Sequence, residues 1–212
     1  MKWWYGVGIV ALLGAGFWIY KAVTVVPPGT RMEEQGREHV SPQEVAAFKY
    51  NSNPPTSGPH LPTWVKAGIY DTPQSEGELI HSLEHGYVIV SYNCNVHLSA
   101  VSRQLSVVRQ VFAHEEEGSP SADLKDPTVA TGSAVNESDA CKALIQQLKE
   151  LAQRKKLWKL IVVPRPQLDT TIALTAWTYI DKFDPPAGGF NTARIERFID
   201  FHRDHGPEKT ME

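Results

Sequence analysis

From residue 3 to residue 20 the chain runs WWYGVGIVALLGAGFWIY, apolar almost throughout and without a charge. Joined by residues 22–26, a helix rising about 1.5 Å per residue reaches across roughly 30 Å of hydrocarbon. Trp3, Trp4 and Tyr5 at one end, with Trp18 and Tyr20 at the other, match the aromatic belts of the two membrane interfaces. A cleaved leader would end in a small-x-small site. Phe17, Trp18 and Tyr20 stand there instead, so the pattern predicts an uncleaved anchor over residues 1–26. Pro27-Pro28-Gly29-Thr30 then breaks the helix and opens a polar linker over 27–38.

Beyond the linker the pattern changes to that of a packed domain over 39–212. Ser41-Pro42-Gln43-Glu44 reads as a helix start, with Ser41 as N-cap, Pro42 in the first turn and Glu44 closing a capping box on a helix over 42–48. Three prolines and Gly58 make 51–60 an irregular but stiff loop, because each proline fixes φ. A second box, Ser75 to Glu78, opens a helix over 76–85 that Gly86 would end; a strand over 79–84 is the competing reading. YVIVSY (87–92) is a strand. Residues 96–114 repeat apolar positions at helical spacing, and 118–137, rich in Ser, Pro, Asp and Thr, form a long loop. Leu144, Leu148 and Leu151 share one face of a helix over 138–156. Strands follow at 160–163 and 171–179. Asn191 caps a last helix with Ile195, Phe198, Ile199 and His202 on one face. The expected fold class is α+β, a mixed β-sheet covered by helices and preceded by a single N-terminal transmembrane helix.

Composition narrows the function. With 21 Lys+Arg against 24 Asp+Glu and a net charge of -3, the chain lacks the basic excess that nucleic-acid binding requires. Its two cysteines, Cys94 and Cys141, form no CxxC. An even pair suits one disulfide in an oxidising compartment, against the alternative of two buried free thiols in a cytosolic domain. Cys94 at a helix start also invites a redox reading, which the lack of a neighbouring second cysteine weakens. Lys2 on one side of the apolar run and Lys21, Arg31 and Arg37 on the other leave orientation undecided by charge.

The chemistry gathers in one stretch. Three of the eight histidines, His60, His81 and His85, lie close in sequence near Gly or Pro. Residues four apart on a helix share a face, with Cβ atoms about 6 Å apart, so His81 and His85 can meet one ion. His60 is the first choice for a third ligand and His39 the second. Imidazole suits zinc and copper alike, and only three methionines argue against a Met-rich copper(I) site. Residues 81–85 also match H-x-x-E-H, in which two histidines hold zinc and Glu84 acts as general base. Against that hydrolase reading, Gly86 follows at once and no clear downstream carboxylate ligand is in view. A third reading keeps the histidines as loop-stabilising hydrogen bonders in a metal-free interaction domain. His97 and His114 flank a surface helix, His202 and His205 suit packing, and Trp64, Tyr70 and Trp177 suit the core.

PPTSGPH, HSLEHG followed by a strand, and LTAW (174–177) together resemble a bacterial family known only as a domain of unknown function. The resemblance implies a single N-terminal membrane segment followed by one extracytoplasmic domain. It places His39, His60, His81, Glu84 and His85 at signature positions and carries no established reaction. The combined expectation is a single-pass protein of the inner or cytoplasmic membrane, its C-terminal domain outside the cytoplasm. It would bind a transition metal ion, zinc or copper, with the membrane as partner through the N-terminal helix and no nucleic acid.

Overall fold

The computed structural model describes residues 26–95, 139–185 and 190–211, together with Gly14, Gly16 and Trp18 as helical positions. Within these residues the elements run in chain order: β1 (Thr30–Arg31), α1 (Pro42–Ala47), β2 (Gly68–Ile69), α2 (Glu76–Glu84), β3 (Val88–Tyr92), α3 (Asp139–Arg154), β4 (Leu160–Pro164), β5 (Ile172–Ala176), β6 (Tyr179–Phe183) and α4 (Thr192–His202). The strands form one sheet in the order β1-β6-β5-β3-β4-β2. β3 pairs parallel with β4 and antiparallel with β5, so the sheet is mixed. β2 extends the parallel side, while β6 and β1 extend the antiparallel side.

Every residue of β3 is buried, as an unalternating VIVSY run requires of a strand covered on both faces. Val88, Val90 and Tyr92 point with Leu160, Val162, Ile172 and Leu174 into a core shared with α3 (Leu148, Leu151, Ala152) and α4 (Ile195, Phe198, Ile199). Ile89, Ile161 and Val163 turn to the opposite face, where Leu79, Ile80 and Leu83 of α2 meet them with Val65 and Trp177. The α+β class and the helix-covered mixed sheet follow the sequence pattern. Cys94 and Cys141 form a disulfide that joins the end of β3 to the first turn of α3.

Three local expectations need revision or settling. The single strand over 171–179 is a hairpin, β5 and β6, turning at Trp177 and Thr178. Thr178 sits at φ 60, and long-range backbone bonds hold the turn: its N–H donates to Thr56 O (3.0 Å) and its carbonyl accepts from Met32 N (2.8 Å). No local turn residue marks it, which is why the apolar run hid it. The Ser41–Glu44 box forms, whereas Ser75 makes no side-chain cap. Glu78 accepts from the Thr63 hydroxyl instead (2.8 Å), and Glu76 pairs with Arg165. Residues 76–84 are helix, not strand, and Gly86 at φ +81 follows the C-cap residue His85. That is the left-handed exit glycine permits at least cost.

Among the described residues no helix is long and apolar enough to cross a membrane. The expected anchor falls almost wholly outside them, as do the helix over 96–114 and the loop over 118–137.

Candidate metal centre

Three segments bring the imidazoles together. α2 buries its apolar side on the sheet and thereby holds His81 and the adjoining His85 in one row, both buried, with ring centroids 4.5 Å apart. The stiff proline loop delivers His60, which is fully buried. It can lie close on α2 because Gly77 has no side chain: a Cβ there would meet Leu61 Cγ at 2.8 Å. His39 arrives by strand-like pairing with His60. Val40 N donates to His60 O (2.8 Å), and His60 N donates to Glu38 O (2.9 Å). The rings of His39, His60 and His81 stand at the corners of a nearly equilateral triangle, with centroid separations of 5.1, 4.8 and 4.9 Å.

Backbone carbonyls set which ring nitrogens look inward. His60 Nδ1 lies 2.8 Å from Gly58 O, and His81 Nδ1 lies 2.7 Å from Leu61 O. A carbonyl can only accept, so each Nδ1 carries the proton and, in a neutral ring, each Nε2 presents a lone pair. Histidines that ligate metals are commonly held this way, with the second nitrogen donating to a carbonyl. The inward nitrogens face a carboxylate and another imidazole. His60 Nε2 lies 2.9 Å from Glu84 Oε2 without making a sound hydrogen bond to it. Glu84 is itself buried, and its other oxygen lies 3.7 Å from Arg37 Nη1. Ligand atoms of His39, His60, His81 and Glu84 all lie within 4.8 Å of one another.

A second group shares His81. Its Nε2 lies 3.0 Å from His85 Nε2, which lies 3.5 Å from Glu208 Oε2, and the three residues' ligand atoms again fall within 4.8 Å of one another. Among the described residues no such group contains both His60 and His85. The segment over 204–210 brings Glu208 here. Asp204 N donates to Gly86 O (2.8 Å) and Glu208 N to Glu84 O (3.1 Å), so this segment runs against the end of α2. Gly206 permits the approach, since a Cβ there would fall 2.2 Å from Glu84 O. Lys159, buried to 1%, clips the arrangement by donating to His85 O (3.0 Å), Asp204 Oδ1 (2.7 Å) and Thr210 O (2.9 Å). Trp64 walls the pair, its ring 4.7 Å from His85 and 5.5 Å from His81.

Burial pushes the His81 imidazolium down to about 4, helped by the neighbouring His85, His60 and His39 and opposed by the Leu61 carbonyl. The ring is therefore neutral at physiological pH, the form a metal requires. His202 is also held below its ordinary value by burial. It packs on Tyr179 and Phe198, its Nε2 bonds to Pro28 O (2.8 Å), and it takes no part in either group. His205 is exposed and contacts Arg203 O (3.0 Å). His97 and His114 lie outside the described residues. Trp177 is core, as expected, and its ring stands edge-on to His60 with centroids 6.5 Å apart. Glu208, Arg37 and the walling role of Trp64 had no signal in the sequence. Glu208 sits in a polar tail with no pattern to connect it to α2.

The fold and this constellation define a class: a mixed α+β domain carrying His/Glu groups able to hold a metal ion. Residues 39–136 and 132–212 match the family described as "Protein of unknown function (DUF3105)", a span that includes every residue of both His/Glu groups, and the chain belongs to that family. No curated protein and no solved structure matches it.

Proposed function

We propose that this chain is a membrane-anchored, extracytoplasmic protein that holds one divalent transition ion, zinc or copper, for metal handling or another role at the cell envelope. The observation that carries the reading is the pair of Nδ1–H···O=C bonds that turn the Nε2 lone pairs of His60 and His81 inward beside a buried carboxylate. Without an ion a neutral His60 turns its lone pair on the Glu84 carboxylate, while His81 Nε2 meets His85 Nε2. With one, the same atoms become ligands. Three imidazoles and one carboxylate make a four-donor set, the number structural zinc sites use, at nitrogen distances of about 2.0–2.1 Å.

His39, His60, His81 and Glu84 would hold the ion, and His85 stands just past the end of α2 as its C-cap. Glu84 against His60 serves better as a ligand than as a general base, and four protein donors leave no open position for water. That favours binding over zinc-dependent hydrolysis. The disulfide supports an oxidising compartment, and the apolar segment over 1–26 supports anchoring in the inner or cytoplasmic membrane.

The test is elemental analysis of the full chain purified in mild detergent, wild type beside His81→Ala. One equivalent of zinc or copper in the wild type, lost in the variant, is the expected result. Wild-type protein that takes up no ion after incubation with either metal would overturn the reading.

A further inference from the structure

Resting on that reading, we infer that His81, His85 and Glu208 form a second cation position, alternative to the first, through which the ion is exchanged. The donor atoms are spaced for it. An ion at about 2.0–2.1 Å from two ligands in tetrahedral array sets them roughly 3.3–3.4 Å apart. His81 Nε2 to His85 Nε2 is 3.0 Å and His85 Nε2 to Glu208 Oε2 is 3.5 Å, on either side of that value. Because His81 Nδ1–H is committed to Leu61 O, the 3.0 Å contact holds a single proton, on His85 Nε2, pointing at the His81 lone pair. A cation would take that proton's place while the proton shifts to His85 Nδ1. No charge is lost and no co-reactant is needed.

The two positions exclude one another. A neutral imidazole whose Nδ1 is protonated has one in-plane lone pair, so His81 Nε2 serves one ion at a time. The first position draws on His39, His60 and Glu84 around that nitrogen, the second on His85 and Glu208. His81 is thus the shared ligand between a set buried at every member but the exposed His39 and a carboxylate whose side chain is 52% exposed. Glu208 is carried on a segment held by Lys159 and by backbone bonds to Gly86 and Glu84, which makes its place beside His85 a built feature and not a stray surface contact. An ion arriving at Glu208 and His85 meets His81 before it meets His60. The second position is therefore a stepping stone, and the chemical class of its ligand is a borderline divalent cation that accepts imidazole and carboxylate together.

The experiment titrates the full chain in detergent with Co(II), whose ligand-field spectrum reports coordination. Wild type is expected to bind one ion. His39→Ala/Glu84→Gln is expected to retain one ion about 10–100-fold more weakly, with an altered spectrum, and adding Glu208→Gln should weaken that residual binding a further tenfold or so. A double variant that binds nothing, or a triple variant no weaker than the double, would overturn the second position and leave the first intact. A wild type that binds two ions would overturn the claim that the two positions are alternatives. A wild type that binds none overturns the proposed function itself. Glu208→Gln alone, a surface change that folding tolerates, supplies an independent readout. Release of bound Co(II) to a chelator should slow severalfold, and release at the wild-type rate refutes exchange through this position.

Discussion

Replacing Lys159 by Met tests how the site is held in place. Lys159 Nζ donates three hydrogen bonds, to His85 O, Asp204 Oδ1 and Thr210 O, while the side chain is 1% exposed. Bonds to charged groups contribute about 1.5–3 kcal/mol each when measured singly. They are not additive, and removing the ammonium also returns the cost of burying it, which is several kcal/mol. Two corrections then act in opposite directions. Asp204 is 37% exposed and regains water, which lowers the loss, whereas the buried His85 carbonyl keeps no replacement donor from Met. The net expectation is about 3 kcal/mol of lost stability, near the lower end of the range for breaking a buried ion pair by removing one partner. For a chain of this size that corresponds to a fall in Tm of roughly 6–12 °C.

Met retains a Cβ, so the left-handed backbone at residue 159 (φ 45) is equally strained in both proteins and cancels. Thermal melts followed by circular dichroism, with urea titrations at pH 7, measure the difference. The pH dependence checks the cause. Lys159 holds the Asp204 carboxyl below its ordinary 3.8, so the bond stabilises the fold above that value and the benefit disappears as pH falls through the folded value. The gap between wild type and variant should therefore narrow below about pH 4. A Tm change under about 2 °C, or a gap that stays constant down to pH 3, refutes the clip.

Gly206→Ala places a Cβ within 2.2–2.7 Å of the backbone of Glu84 and Gly86, which cannot yield as a side-chain tip could. Two backbone bonds are lost, about 2 kcal/mol at roughly 1 kcal/mol each, and amide exchange should rise at Asp204 and Glu208 more than in β3. Replacing both cysteines by Ser opens a loop of 47 residues, for which chain entropy predicts up to about 4 kcal/mol of destabilisation, read as a shift in the urea midpoint under non-reducing conditions. In metal-free protein, the His81 value of about 4 lies below the ordinary 6.5, so the unfolded chain takes up a proton first and stability rises with pH between those limits. After allowance for solvent screening the slope integrates to on the order of 1–2 kcal/mol, and His81→Asn should flatten it in urea titrations from pH 4 to 7.

Much of the fold was legible because local physics decided it. β3 reads as a strand covered on both faces from five consecutive apolar or small residues, and the Ser41 capping box forms within its own four residues. The β5–β6 hairpin was illegible for the opposite reason. Its turn is held by Thr56 and Met32, remote in sequence, and Thr178 carries no glycine-like signature. Ser75 shows how a local signal can fail: the partner its pattern needs, Glu78, is drawn away by Thr63.

By itself the sequence determined which residues have imidazole and carboxylate chemistry, that His81 and His85 share a helical face, and that a proline-stiffened loop delivers His60. Those are properties of composition and of spacing along one element. Only the tertiary structure decided the grouping: His39 joins His60 through a backbone bridge, and Glu208 meets His85 because a distant lysine and a glycine without a Cβ let the tail pack against α2. Contacts between segments far apart in the chain depend on which surfaces the core leaves facing each other, and no periodicity within either segment encodes that.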